Sequence, residues 1–200
     1  DIGGFSGNVT PNLLTRWMEM AVLQPVFRNH TFSANREPWL FGSPNSEWNR
    51  RWMKFRYEVL PFLYSLTVDA ATNGLPINLP TVFEFPGDVN TYSLNEYDFL
   101  VGKSLLAAPV YVQSDTKRSV YLPFGANWYF WQDDAYYLGG QTIEVPASMG
   151  TLPMFVREGA IIPLGPAMDY ADEVQPDSLD IHVWPRSAGW TRWPAALTAC

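Results

Sequence analysis

The chain has 200 residues, 47% of them hydrophobic, enough to bury a core in one or two domains. A net charge of −7 without any basic stripe argues against nucleic acid as a partner, and no apolar run is long enough for a membrane-spanning helix. The single cysteine, Cys200, excludes an intrachain disulfide and a cysteine-based metal cluster within these residues. That usage fits a cytoplasmic protein, although secreted bacterial enzymes also manage without disulfides. Nine Trp, ten Tyr and twelve Phe exceed ordinary core packing. Such rings suit either the apolar faces of sugars or a core of packed aromatics, and composition leaves both open.

Asp1-Ile2-Gly3-Gly4-Phe5 reads as a strand end running into a glycine turn. A helix is expected over residues 11–21, with Thr10 as N-cap, Pro11 at the first helical position, and Leu13, Leu14, Trp17 and Ala21 on one apolar face. Residues 24–30 read as a strand ending at Arg28-Asn29-His30, followed by a loop holding Arg36-Glu37-Pro38-Trp39. The longest helix is expected over 47–73, capped by Ser46, with an apolar stripe of Trp48, Trp52, Phe55, Val59, Phe62, Leu66 and Ala70. Pro61 should bend it, and Asn73-Gly74 with Pro76 should stop it.

Beyond Leu75 the pattern changes to short β-like runs separated by Pro and Gly: 81–85, 105–112, 119–122, 128–131, 142–145, 154–156 and 160–163. Strands at that spacing suggest an antiparallel sandwich, and 180–184 reads as a further strand. From Arg186 to Cys200 the chain is rich in Ala, Trp and Arg without strand or helix periodicity, as expected of a tail foreign to the fold, for instance one read out of frame.

Asp and His at strand ends point to a particular chemistry. In a TIM barrel the active site forms at the C-terminal ends of the strands. Asp1 can accept hydrogen bonds from sugar hydroxyls, His30 can donate or accept one, and Phe5 can wall an apolar pocket. Taken alone, a strand-end Asp is more often a cap and a lone His more often structural. Asp98, Asp115, Asp133 and Asp134 read as solvated loop or strand-end residues. Arg16, Arg28, Arg36, Glu37, Arg56 and Arg157-Glu158 read as structural partners, and Trp128 and Trp131 as core or interface aromatics.

Several blocks in order resemble glycoside hydrolase family 31. They are Asp1-Ile2-Gly3-Gly4-Phe5, Arg16-Trp17, Pro25-Val26-Phe27-Arg28-Asn29-His30 and Arg36-Glu37-Pro38-Trp39, then Phe55 to Tyr64, Phe83-Glu84-Phe85-Pro86, Gly102 to Val110 and Pro153 to Pro163. The likeness spans about residues 1–185. It implies the C-terminal portion of a TIM (β/α)8 barrel over residues 1–80, an antiparallel β-sandwich over 81–162, and the start of a further β domain over 163–200. It implies a retaining α-glycosidase acting on an α-linked oligosaccharide or glucoside, with α-glucosidase the expected specificity and no metal or organic cofactor. Asp1, Phe5 and His30 carry over as substrate-binding residues. The two catalytic carboxylates of the family precede the Asp1 block, so no catalytic residue is expected in this chain. It is accordingly expected to be a fragment, inactive alone and folding poorly without the strands that close a barrel. The alternatives are α-xylosidase, lyase or transglycosylase activity, and a non-catalytic carbohydrate-binding protein.

Overall fold

Thr10 begins the first ordered element. Its hydroxyl accepts the Leu13 N–H at 3.2 Å, and Pro11 takes the first position of helix α1, Pro11–Ala21. The expected face forms with one change. Leu14 and Ala21 are buried and Trp17 half-buried, but Leu13 is exposed and Met18 takes the buried place. The computed structural model describes residues 1–92 and 97–186. Apart from Arg186, the anomalous tail lies outside the described residues.

The long helix divides in two, α2 at Asn45–Glu58 and α3 at Leu60–Asn73, with Val59 between them. The expected bend is instead a break two residues earlier, at Val59, which puts Pro61 in the first turn of α3, where proline is tolerated. The carbonyl of Glu58, freed by the break, accepts the Gly165 N–H at 2.8 Å. Gly74, at φ 72°, ends α3 as expected of a left-handed C-cap. Ser46 is not the N-cap. The helix begins one residue earlier behind Pro44, which has no side-chain donor or acceptor to cap with.

The strands are β1 (Asn78–Pro80), β2 (Phe99–Val101), β3 (Leu105–Ala107), β4 (Lys117–Leu122), β5 (Trp128–Phe130), β6 (Tyr136–Tyr137), β7 (Gln141–Pro146), β8 (Met154–Arg157), β9 (Ile161–Leu164) and β10 (Asp180–Val183). Among the described residues they form an antiparallel sheet in the order β1-β2-β3-β8-β5-β6 and two separate pairs, β4 with β7 and β9 with β10.

The central sheet is buried on both faces, and its alternating side chains say by what. Val101, Leu105, Ala107, Met154 and Val156 join Trp52, Val59, Phe62 and Leu63 of α2 and α3 in one core. Leu100, Leu106 and Phe155, their immediate neighbours in sequence, pack with Val120, Leu122 and Val145 of the β4–β7 pair. Helices therefore cover one face and a two-stranded ribbon the other. Trp128 is fully buried in the ribbon-side core, and Trp131 packs edge-on against Phe55, so both aromatics are packing residues as read.

Four further expectations are corrected. Residues 24–30 form no regular strand. A hydrogen bond of 2.9 Å from Ile2 N–H to the Arg28 carbonyl ties them to the first residues. Residues 81–85 are not β: Thr81–Glu84 is one helical turn, α4, with Pro80 holding the residue before it extended and Pro86 keeping Phe85 out of the helix. The 105–112 run is strand only through Ala107. Asp98 is not solvated; its carboxylate is sealed against Arg118 at 2.6 Å. No closed barrel is present among the described residues.

Candidate functional site

The segment holding Asp1, Phe5 and His30 has almost no regular structure, so side chains must hold it. Arg36 does most of this. It is 1% exposed, and its guanidinium donates to the carbonyls of Gly3 at 3.1 Å, Ser6 at 3.1 Å, Gly7 at 2.8 Å and Ala34 at 2.9 Å. Five N–H donors in a rigid fork suit that task, and lysine could not replace them. Gly3 sits at φ 87°, and a Cβ there would meet Leu14 Cδ1 at 2.9 Å and Arg36 Cδ at 3.2 Å. The glycine is therefore required both by backbone conformation and by space.

A buried polar network ties this segment to the helices. Thr15 Oγ1 donates to Asn49 Oδ1 at 2.9 Å, Asn45 Nδ2 donates to Thr15 at 3.0 Å, and Asn49 Nδ2 donates to the Pro38 carbonyl at 3.1 Å. Arg56 donates to the carbonyls of Val22 at 2.7 Å, Gln24 at 2.6 Å and Pro25 at 3.1 Å. Burial lowers the Arg56 pKa, which agrees with a guanidinium spent on backbone carbonyls.

On this frame, Phe5 and His30 come together, their rings 5.4 Å apart and nearly parallel. Asp1 is joined to the same segment by Arg28, whose guanidinium reaches its carboxylate at 3.3 Å. All three residues are exposed. Two more residues flank them. Thr31 donates its hydroxyl to the Phe5 carbonyl at 3.0 Å, and the Phe32 ring lies 5.3 Å from that of Phe5. An open cleft of about 1100 Å³ runs alongside, lined by Phe27, Arg28, Glu37, Trp39, Met53 and Tyr57 among others. None of Asp1, Phe5 and His30 lines it. Glu37 Oε2 is buried there with no hydrogen-bond partner among the described residues.

The remaining charges are structural. Arg16 donates to Glu19 at 2.9 Å and to the carbonyls of Asp115 and Ala147, both at 2.8 Å. Arg157 pairs with Glu84 at 2.8 Å, and Glu158 accepts from Asn127 at 3.1 Å. The sequence reading passed over Glu19. Its signal was present in the opposite charges of Arg16 and Glu19 one turn apart on an apolar helix face. It also passed over Phe32, whose exposure no local pattern announces.

Residues 1–66 match the glycosyl hydrolases family 31 TIM-barrel domain, and residues 74–162 match the family's C-terminal domain. The chain belongs to glycosyl hydrolase family 31. It carries the C-terminal portion of the family's barrel followed by its C-terminal domain. This family 31 chain is 37% identical over 191 residues to alpha-glucosidase 2 of Bacillus thermoamyloliquefaciens, covering 94% of the chain and 24% of that relative. It is 42% identical over 165 residues to a probable glucan 1,3-alpha-glucosidase of Arabidopsis thaliana, covering 82% and 18%. Among solved structures, the family 31 dextranase of Flavobacterium johnsoniae, complexed with glucose, superposes with a TM-score of 0.87 at 36% identity, covering 93% of this chain and 24% of that one. The family 31 α-xylosidase of Xanthomonas citri gives 0.78 at 34%, covering 86% and 19%. The chain thus spans about a quarter or less of the length of these relatives.

Proposed function

We propose that this chain is the C-terminal part of the catalytic region of a retaining α-glycosidase that hydrolyses terminal α-glucosidic bonds of oligosaccharides. The observation that carries the proposal is the stacked Phe5–His30 pair beside the tethered Asp1, within residues matched to the family's barrel. An apolar ring, an imidazole that can donate or accept, and a carboxylate together complement what one sugar ring presents, an apolar face and vicinal hydroxyls. Asp1 and His30 bind hydroxyls of the sugar whose bond is broken, and Phe5 packs on its ring. Several of the relatives are α-glucosidases, which favours glucose over xylose at that place.

In the retaining mechanism a carboxylate attacks the anomeric carbon as a second carboxylic acid protonates the departing oxygen. Water then releases the sugar from the glycosyl-enzyme, the second group acting as base, with the two groups about 5–5.5 Å apart. We assign neither carboxylate to this chain, and hydrolysis by the 200 residues alone is not expected. We divide the chain at about residues 80 and 162 into a barrel portion, a β-sandwich and the start of a further β domain. The face-to-face cores on either side of the β3–β8 pair support a layered reading of the second part.

The test is turnover of 4-nitrophenyl α-glucoside by this chain and by a polypeptide extended upstream to a full barrel. The extended protein alone should turn over, with retention of configuration. In it, Asp1→Ala should lower kcat/KM on the order of 10- to 100-fold, the loss expected for a hydrogen bond to a charged group. An extended protein that binds sugars yet cleaves neither α-glucosides nor α-xylosides would instead be a carbohydrate-binding protein.

A further inference from the structure

Phe32 is 72% exposed, against 47% for Phe5, on which its ring rests at 5.3 Å. A phenyl ring left in water forgoes the burial that ordinarily justifies it, yet its position is defined. The Phe32 N–H donates to the Phe5 carbonyl at 3.2 Å, and the Thr31 hydroxyl donates to the same oxygen at 3.0 Å. Ser33 N–H donates in turn to Thr31 Oγ1 at 3.1 Å, so the turn that presents Phe32 is held by backbone and hydroxyl groups and not by the ring. His30 and Phe32 therefore both lay rings against Phe5, the first nearly parallel at 23° and the second tilted at 35°. Exposure rises outward through this row, from the buried Arg36 anchor through Phe5 to Phe32.

We infer that Phe32 is a specificity-determining residue that packs the leaving group, and that it favours leaving groups with a ring, such as a second pyranose or an aryl group. This rests on the reading of Asp1, Phe5 and His30 as the place of the scissile sugar. Phe32 has no hydrogen-bonding group, so it cannot read hydroxyls; it can only cover an apolar ring face. It is also more exposed than Phe5, on whose ring it rests, and lies outward of it, on the side where the part of a substrate beyond the broken bond would leave a site for a terminal sugar.

The experiment uses the upstream-extended enzyme and three substrates: maltose, 4-nitrophenyl α-glucoside and α-glucosyl fluoride, whose leaving group has no ring. Phe32→Ala should raise KM for the first two roughly five- to tenfold, the scale of one lost ring contact, and leave α-glucosyl fluoride unchanged. Phe32→Trp should restore the ring-bearing substrates, and neither variant should move the unfolding midpoint, since the ring holds nothing in place. Equal losses on fluoride and maltose, or no change on either, overturn the inference while leaving the sugar site standing. An unsubstituted enzyme inert on all three removes the sugar site, and this inference with it.

Discussion

Glu19 and Arg16 stand one turn apart on α1 with side chains 1% and 5% exposed. Burial pushes the Glu19 carboxyl up to about 7 from an ordinary 4.5, against the lowering pull of Arg16 and the Gly150 N–H, which reaches Oε1 at 2.6 Å. The folded state therefore binds a proton more tightly than the unfolded chain does. This group's contribution is fully present below about pH 4.5 and is lost as pH rises towards 7. Glu19→Gln keeps an acceptor for Gly150 and removes the titration. In urea unfolding, the stability of the variant relative to the native chain should increase between pH 4.5 and 7 by on the order of 2–3 kcal/mol. A difference that stays flat across this window, or runs the other way, would mean that the Arg16 pair outweighs desolvation and keeps the carboxylate ionised throughout.

At the scale of elements, turns decide where α3 and the sheet meet. Gly102, just after β2, sits at φ 55°, and its N–H donates to the Ile77 carbonyl at 2.8 Å. A Cβ there would lie 2.6 Å from Leu66 Cδ2 on α3. Gly102→Ala should cost about 1–3 kcal/mol from the left-handed backbone alone, with the clash added. Gly87→Ala is the control, because nothing lies within 4 Å of its added Cβ, and it should stay within about 0.5 kcal/mol. Equal urea midpoints for the two variants would show that α3 can retreat from the turn at little cost. Features of this local kind were legible in the sequence: the Thr10 cap, the Pro61 break, the Gly74 stop and most of the strands. Elements set by neighbours were not. Val82 and Phe83 suit a strand by type, but a four-residue run carries too little periodicity to separate strand from helix, and the flanking prolines decide. Asp98 looked solvated because its partner, Arg118, is twenty residues away. The site divides in the same way: Asp1, Phe5 and His30 stood out through motif, whereas Phe32 and the anchoring role of Arg36 depend on contacts across the loop.

At the scale of the whole molecule, burial is unevenly shared. The central sheet is enclosed between α2 and α3 on one face and the β4–β7 ribbon on the other, whereas Val26, Trp39 and Leu40, all within the first 44 residues, are exposed. Exposed apolar side chains scattered singly are ordinary, but several within one irregular segment mark a surface that expects a partner. The proposed barrel supplies one, as its earlier strands and helices would lie against this segment. Limited proteolysis should therefore cut the isolated chain first within residues 24–44, while the sheet with the helices α2 and α3 that cover it persists as a resistant product, because cleavage follows local opening and exposed irregular backbone opens most readily. Light scattering of the isolated chain should reveal concentration-dependent association through the same surface. In the upstream-extended protein both effects should disappear, with residues 24–44 protected to the level of the sheet. If that segment is cut equally fast in both, the upstream part does not cover it, and the placement of Asp1, Phe5 and His30 inside a closed barrel has to be abandoned. If the isolated chain is resistant throughout and unfolds in one cooperative step, the segment is stable on its own hydrogen bonds, with Arg36 as its chief anchor, and the expectation of poor independent folding fails.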